Sequence, residues 1–286
     1  MKLDGRRESS HVEDRRGSSG KVAGGLGIGG IIIAGLIYLL TGQSVDPSQL
    51  GVDTGMGGGT NVTFTQEEQE LASFARKILA GTEDVWSAYF QQAGYGDYVA
   101  PTMVLYTGTT SSGCGTGSAA MGPFYCSADQ CLYIDLSFFT SMKSQLGADG
   151  DFAYAYVIAH EVGHHVEHLL GVLGQAHQQM ARQNKTQANQ TSVRIELFAD
   201  FLAGVWAHHD NALFGSLEEG DLEEAITCAS VIGDDYLQKQ AQGYVVSESF
   251  THGTAKQRVK YLAAGLQSGN ISSAYPQVFQ VNYNQL

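Results

Sequence analysis

The 286-residue chain is 43% hydrophobic and 10% aromatic, apolar enough for one sizeable packed domain with accessory segments and too apolar for a disordered protein. Its formal net charge of −13 argues against nucleic acid as a partner, because neutralising phosphates takes clustered Lys and Arg and here acids outnumber bases. The imbalance is uneven: residues 1–21 hold Lys2, Arg6, Arg7, Arg15, Arg16 and Lys21 against Asp4, Glu8, Glu13 and Asp14, so the remainder is more acidic still.

Residues 1–21 are polar and predict a disordered tail, with Gly17 and Gly20 loosening its junction with the apolar run beyond. Residues 22–40 carry no charge and include Leu26, Ile28, Ile31, Ile32, Ile33, Leu36, Ile37, Leu39 and Leu40. At about 1.5 Å per residue such a run crosses about 30 Å of hydrocarbon, so one transmembrane helix is expected. Basic residues precede it and the next lies only at Arg76, and the positive-inside rule then puts the N-terminal tail in the cytoplasm and the bulk of the chain outside. The long charged lead and the lack of a small-x-small site after Leu40 favour an uncleaved anchor over a cleaved signal peptide. Gly25, Gly29, Gly30 and Ala34 have the spacing that packs two such helices into a homo-oligomer; a Gly-rich anchor without that role is the plainer reading. Residues 41–63, with Gly57-Gly58-Gly59, read as a flexible linker.

The predicted domain covers residues 64–286. Thr65 followed by Gln66-Glu67-Glu68 forms a capping box, opening a helix with Leu71, Phe74, Ala75, Ile78 and Leu79 on one face. Gly81 is expected to break it, leaving residues 82–92 as a second short helix. Residues 98–107 predict a strand with Pro101 near its start, followed by a Gly- and Ser-rich loop. Residues 123–126 and 131–136 predict two strands joined by the turn 127–130; an extended peptide could pair with such a strand, which serves equally well as core. Helices are expected from Asp151 to Gly171, over 187–208, through the acidic stretch 217–240 and over 255–267, with 172–186 a polar connection. The class is therefore α+β, mostly helical with a small sheet.

Cys114, Cys126, Cys131 and Cys228 are an even number in what the anchor would make an oxidising compartment. Cys114 and Cys126 bracket a Gly-rich segment and suggest a loop staple, which leaves Cys131 with Cys228, although sequence alone allows three connectivities. No C-x-x-C pair exists to suggest a zinc-thiolate site.

The helix opened by Asp151 carries His160-Glu161-Val162-Gly163-His164, an H-E-x-x-H pattern. Residues four apart project from one helix face, roughly 6 Å apart along the axis, so both imidazoles can reach one zinc ion, while Glu161 can touch a metal-bound water as general base. A catalytic zinc needs a third protein ligand and an open fourth position. His168 lies roughly 12 Å along the helix from His160 and is out of reach. The extended motif with a third histidine fails because Glu167 and Leu170 stand at its glycine and histidine positions. Glu196 remains, a carboxylate inside the apolar run Ile195, Leu197, Phe198, Ala199, Phe201 and Leu202, where burial demands a partner. Asp200, one turn on, is expected to accept the Nδ1 proton of a ligating histidine, His160 by preference. The competing reading is an exposed polar stripe on an amphipathic helix. In Thr251-His252-Gly253-Thr254, His252 could donate to a developing oxyanion, and Arg258 could hold a carboxylate or the substrate; a helix cap and a solvated arginine are the bland alternatives.

With these residues in place the chain resembles the neutral zinc metallopeptidase family of bacteria. The likeness rests on the opening from Leu3 to Ser10 and Val12 to Gly17, on Gly122-Pro123-Phe124-Tyr125-Cys126 and Tyr133 to Phe139, on Ala159 to Val166, on Glu196 to Trp206 and on Thr251 to Thr254. The resemblance implies a gluzincin: a zincin-like fold with His160, His164 and Glu196 as zinc ligands and Glu161 as the base. The Thr251–Thr254 run looks like a Thr-His-Pro segment of membrane-associated gluzincins, with Gly253 standing where the proline would be. The expectation is a membrane-anchored zinc endopeptidase acting on peptide or protein substrates, single-pass in the bacterial cell membrane, its domain periplasmic or extracellular. The alternative is a catalytically inactive, metal-containing envelope binding or scaffold protein.

Overall fold

The computed structural model describes residues 1–17 and 64–286; the predicted anchor, 22–40, and linker, 41–63, lie outside the described residues. Among the described residues no helix is long and apolar enough to cross a membrane. They form nine α-helices and a small sheet, in agreement with a mostly helical α+β class.

Strand β1 (Val12–Asp14) comes first, then the long helix α1 (Gln66–Ala93), β2 (Thr102–Tyr106), the hairpin β3 (Thr109–Ser112) and β4 (Gly115–Ser118), and β5 (Phe124–Cys126) and β6 (Cys131–Asp135). The rest is helical: α2 (Ser137–Ser141), α3 (Asp151–Leu169), α4 (Val172–Met180), α5 (Lys185–Phe214), α6 (Asp221–Val231), α7 (Asp234–Gln242), α8 (Ala255–Ser268) and α9 (Ala274–Phe279). The main sheet has the order β1-β2-β6-β5, parallel except for the antiparallel β5 at one edge. Its alternation divides two layers: Met103, Leu105, Leu132 and Ile134 face the helical core, while Val104, Tyr106 and Tyr133 join Cys126 on the other side. The expected turn 127–130 joins β5 to β6.

Four expectations are corrected by packing. Gly81 does not break α1, which runs unbroken from its Thr65 capping box to Gly94. A Cβ at Gly81 would sit 2.7 Å from an Arg6 guanidinium nitrogen and 2.9 Å from an Asp210 oxygen, so the glycine makes room for that ion pair. The acidic stretch 217–240 splits into α6 and α7, and the polar connection after Gly171 contains α4. Cys114 and Cys126 are bonded with Cα atoms 5.8 Å apart, but Cys131 and Cys228 are both free. Cys131 opens β6, opposite Cys126, whereas Cys228 is buried in the helical core by α6, so the fold holds them in different layers.

The N-terminal segment is the largest departure. Residues 1–17, expected as a disordered tail, are part of the folded body. β1 adds a parallel strand to β2, flanked by Met103 N–H to His11 O at 2.9 Å and Arg15 N–H to Leu105 O at 2.7 Å. Arg6 reaches Asp210, whose side chain is 1% exposed, at 2.8 Å. Ser9 and His11 both meet Glu83, and Arg7 pairs with Glu83 at 2.8 Å and Asp84 at 2.6 Å. Stripping one partner from a buried ion pair costs about 3–5 kcal/mol. That is a large part of a domain's net stability of about 5–15 kcal/mol, so the segment is integral to the fold.

Candidate active site

Helices α3 and α5 cross where Gly163 meets Ala199: a Cβ on Gly163 would lie 3.0 Å from the Ala199 carbonyl oxygen and 3.2 Å from its Cα. This close approach sets Glu196 and Asp200 of α5 opposite His160 and His164 of α3. A second approach joins α5 to α8, because a Cβ on Gly265 would lie 2.0 Å from the Phe201 oxygen. It carries Arg258 of α8 into the same cluster.

The cluster is ordered by its carboxylates. Asp200, fully buried, accepts from His160 Nδ1 at 2.8 Å, from Arg258 Nε and Nη2 at 2.9 Å each, and from the Tyr156 hydroxyl. Burial opposes its charge, but Arg258 and His160 outweigh burial and hold its pKa down at about 2. An ionised carboxylate only accepts, so His160 carries a proton on Nδ1, and Nε2 is the ring atom turned toward Glu196. His164 Nδ1 meets Glu167 Oε2 at 2.9 Å. Both Nε2 atoms then face Glu196, His160 at 3.1 Å and His164 at 3.6 Å from its carboxylate oxygens.

Donors sharing one zinc at about 2.0–2.1 Å in a tetrahedron stand about 3.3 Å apart. The observed spacings bracket that value, and the three donor atoms all lie within 4.8 Å of one another. The donor set, two imidazoles and one carboxylate, fits a catalytic zinc centre. Glu161, mostly buried, lines the adjoining cleft, and burial raises its pKa above the ordinary value, as suits a proton acceptor. The cleft, about 320 Å³, is bordered by Gly122, Pro123, Phe124 and Tyr125 at the β5 edge and by Met121, Phe138, Met142 and Leu146.

The structure also gathers residues that sequence reasoning expected in support. Arg258 does not wait for substrate; its fork is taken up by Asp200, and acts through it on His160. His252 lines the cleft, with Nδ1 3.1 Å from Asp234. Burial disfavours its charged form, but Asp234 and Glu196 outweigh burial and raise its pKa to about 9. Asp234 further accepts the backbone N–H groups of Thr251, His252 and Gly253, so one carboxylate shapes the whole turn. Gly253 has φ of +94° and donates its N–H to Asp234. A proline, locked near −65° and without that proton, cannot form this turn, which explains the departure from Thr-His-Pro.

Glu167, Tyr156 and Asp234 were not singled out from sequence. Glu167 had a signal, an acid one turn after His164 in an apolar helix; Tyr156, one turn before His160, had a weaker one. Asp234 had none, since acids open many helices.

Over residues 1–275 the chain matches the family described as "Putative neutral zinc metallopeptidase". The chain belongs to this zinc metallopeptidase family. It is 50% identical over 287 aligned residues to "Uncharacterized protein YpfJ" of Escherichia coli strain K12, covering 94% of this chain and 96% of that one. It is 40% identical over 183 residues to "Uncharacterized protein Rv2575" of Mycobacterium tuberculosis strain H37Rv, covering 60% of this chain and 61% of that protein. No solved structure matches the chain at a significant level. Zinc is the metal the zinc metallopeptidase family implies, and His160, His164 and Glu196 form a donor set that fits it.

Proposed function

We propose that this protein is a zinc-dependent endopeptidase with His160, His164 and Glu196 as metal ligands and Glu161 as general base. The observation that carries the reading is the convergence of two imidazole Nε2 atoms and one carboxylate at the wall of a cleft that Glu161 also lines. Zinc, when bound there, supplies Lewis acidity at a substrate carbonyl and acidifies water near neutral pH. Glu161 takes a proton from the attacking water and passes it to the leaving amine. His252, charged and held by Asp234, donates to the developing oxyanion. The β5 edge gives an extended peptide main-chain groups to pair with, and the apolar wall of Met121, Phe138, Met142 and Leu146 suits a bulky apolar side chain. A purely structural zinc would need a fourth protein ligand; among the described residues the cluster supplies three donors, which speaks against the scaffold alternative. The Cys114–Cys126 disulfide favours work in an oxidising compartment.

The test is zinc content and hydrolysis of an unbiased peptide mixture, with wild type and Glu161→Gln side by side. Equal zinc and a rate lowered by about 10²–10⁴-fold are expected. A variant that cleaves as fast as wild type removes Glu161 from the mechanism.

A further inference from the structure

We propose that residues 1–17 and residues 64–286 lie on the same side of any membrane this protein meets.

The first ground is direct contact. β1 pairs with β2 in the register Val12 to Met103, Glu13 to Val104 and Asp14 to Leu105, and main-chain bonds of this kind cannot reach through a bilayer. The second is the fate of the basic residues. Arg6 is paired with Asp210, Arg7 with Glu83 and Asp84, Arg15 with Glu13, and Arg16 with Asp14. Arg16 also lies over the Phe64 ring at 4.2 Å. The four arginines among the charges that the positive-inside rule would count are thus ion-pair partners within one folded body. The third is where the described chain stops and resumes. Arg16 Nη1 donates to the Glu68 carbonyl at 2.9 Å, and a Cβ on Gly17 would lie 3.7 Å from the Phe64 ring, so Gly17 and Phe64, where the described chain stops and resumes, are neighbours on the domain.

Composition closes the argument. Residues 22–40 supply one apolar run, about the length of one crossing. Residues 41–63, with Asp46, Asp53 and many polar and glycine positions, offer no second run to bring the chain back. An odd number of crossings would tear β1 from β2 and leave Asp210 buried without Arg6. The same-side arrangement keeps both.

The test uses the full-length chain in bacterial spheroplasts, with Cys131→Ser as background and its own labelling as the blank. Asp4→Cys and Gln267→Cys, both exposed positions, are introduced separately and treated with a membrane-impermeant maleimide before or after permeabilisation. Ser10→Cys and Ser268→Cys, also exposed, repeat the comparison should one of the first pair fail to accumulate. The expected result is one pattern for both ends, either labelled before permeabilisation or protected until it. One end labelled and the other protected overturns the proposal. The readout needs no peptidase activity, so its failure is distinct from failure of the enzymatic reading.

Discussion

Glu167 shows how much of a metal site can rest on a residue that touches no metal. It is fully buried and accepts from His164 Nδ1, and burial, opposed by that bond, brings its pKa up to about 7. Glu167→Ala would leave the His164 N–H without an acceptor and free the ring to turn. We expect zinc to bind about 10–100-fold more weakly, read by chelator competition, with a comparable loss for Asp200→Asn. His252 supplies a pH test. Its raised pKa, about 9, means that the charged form persists through neutrality. Any stability from its pairing with Asp234 is fully present below about 6.5 and lost as pH rises through about 9. kcat/KM should therefore fall on the alkaline side near pH 9, and Asp234→Asn should move that limb towards the ordinary histidine range. A pH profile with no alkaline limb there would remove His252 from oxyanion stabilisation. His160, Glu161, His164, Glu196 and Asp200 were legible because helical spacing and apolar surroundings are local properties. Glu167 stands at the glycine position of the longer histidine motif, and that mismatch masks its place one turn after His164.

At the scale of elements, the candidate site exists because two helices approach closely enough to bring Glu196 to His160 and His164. Gly163 sets that approach with backbone atoms of Ala199, which cannot swing aside as a flexible side chain would. Gly163→Ala should cost about 1–3 kcal/mol by overpacking and weaken zinc binding by moving Glu196 away from His160 and His164. Thermal melts with and without zinc would measure both. Gly174→Ala is the control, because a Cβ there meets nothing within 4 Å. A Gly163→Ala protein indistinguishable from that control would deny the crossing its role. Sequence reading erred here in a consistent way. Propensity predicts a break at Gly81, whereas the glycine makes room for Arg6 and Asp210 within an unbroken helix. The acidic stretch hid the break between α6 and α7, and the polar stretch after Gly171 hid α4, because partly exposed helices leave a weak hydrophobic period.

For the whole molecule the N-terminal segment matters most. Polar, charged and placed before an apolar run, it reads as a tail, yet Arg6 and Arg7 neutralise acids on α5 and α1. Arg6→Ala should cost about 3–5 kcal/mol, since Asp210 would stay buried without its partner. The check is chemical denaturation of the full chain in detergent. A change below about 0.5 kcal/mol would mean that the segment is dispensable. By itself the sequence picked out His160 and His164 on one helix face, Glu196 and Asp200 in an apolar helix, the β5–β6 turn and the mostly helical class, because these rest on short-range spacing and local polarity. Only the tertiary structure decided that Glu167 orients His164, that Arg258 serves Asp200, that Cys131 and Cys228 stay apart and that residues 1–17 belong to the domain. Each of these depends on which buried group meets which partner across the fold, and burial of charge is set by packing that no local pattern records.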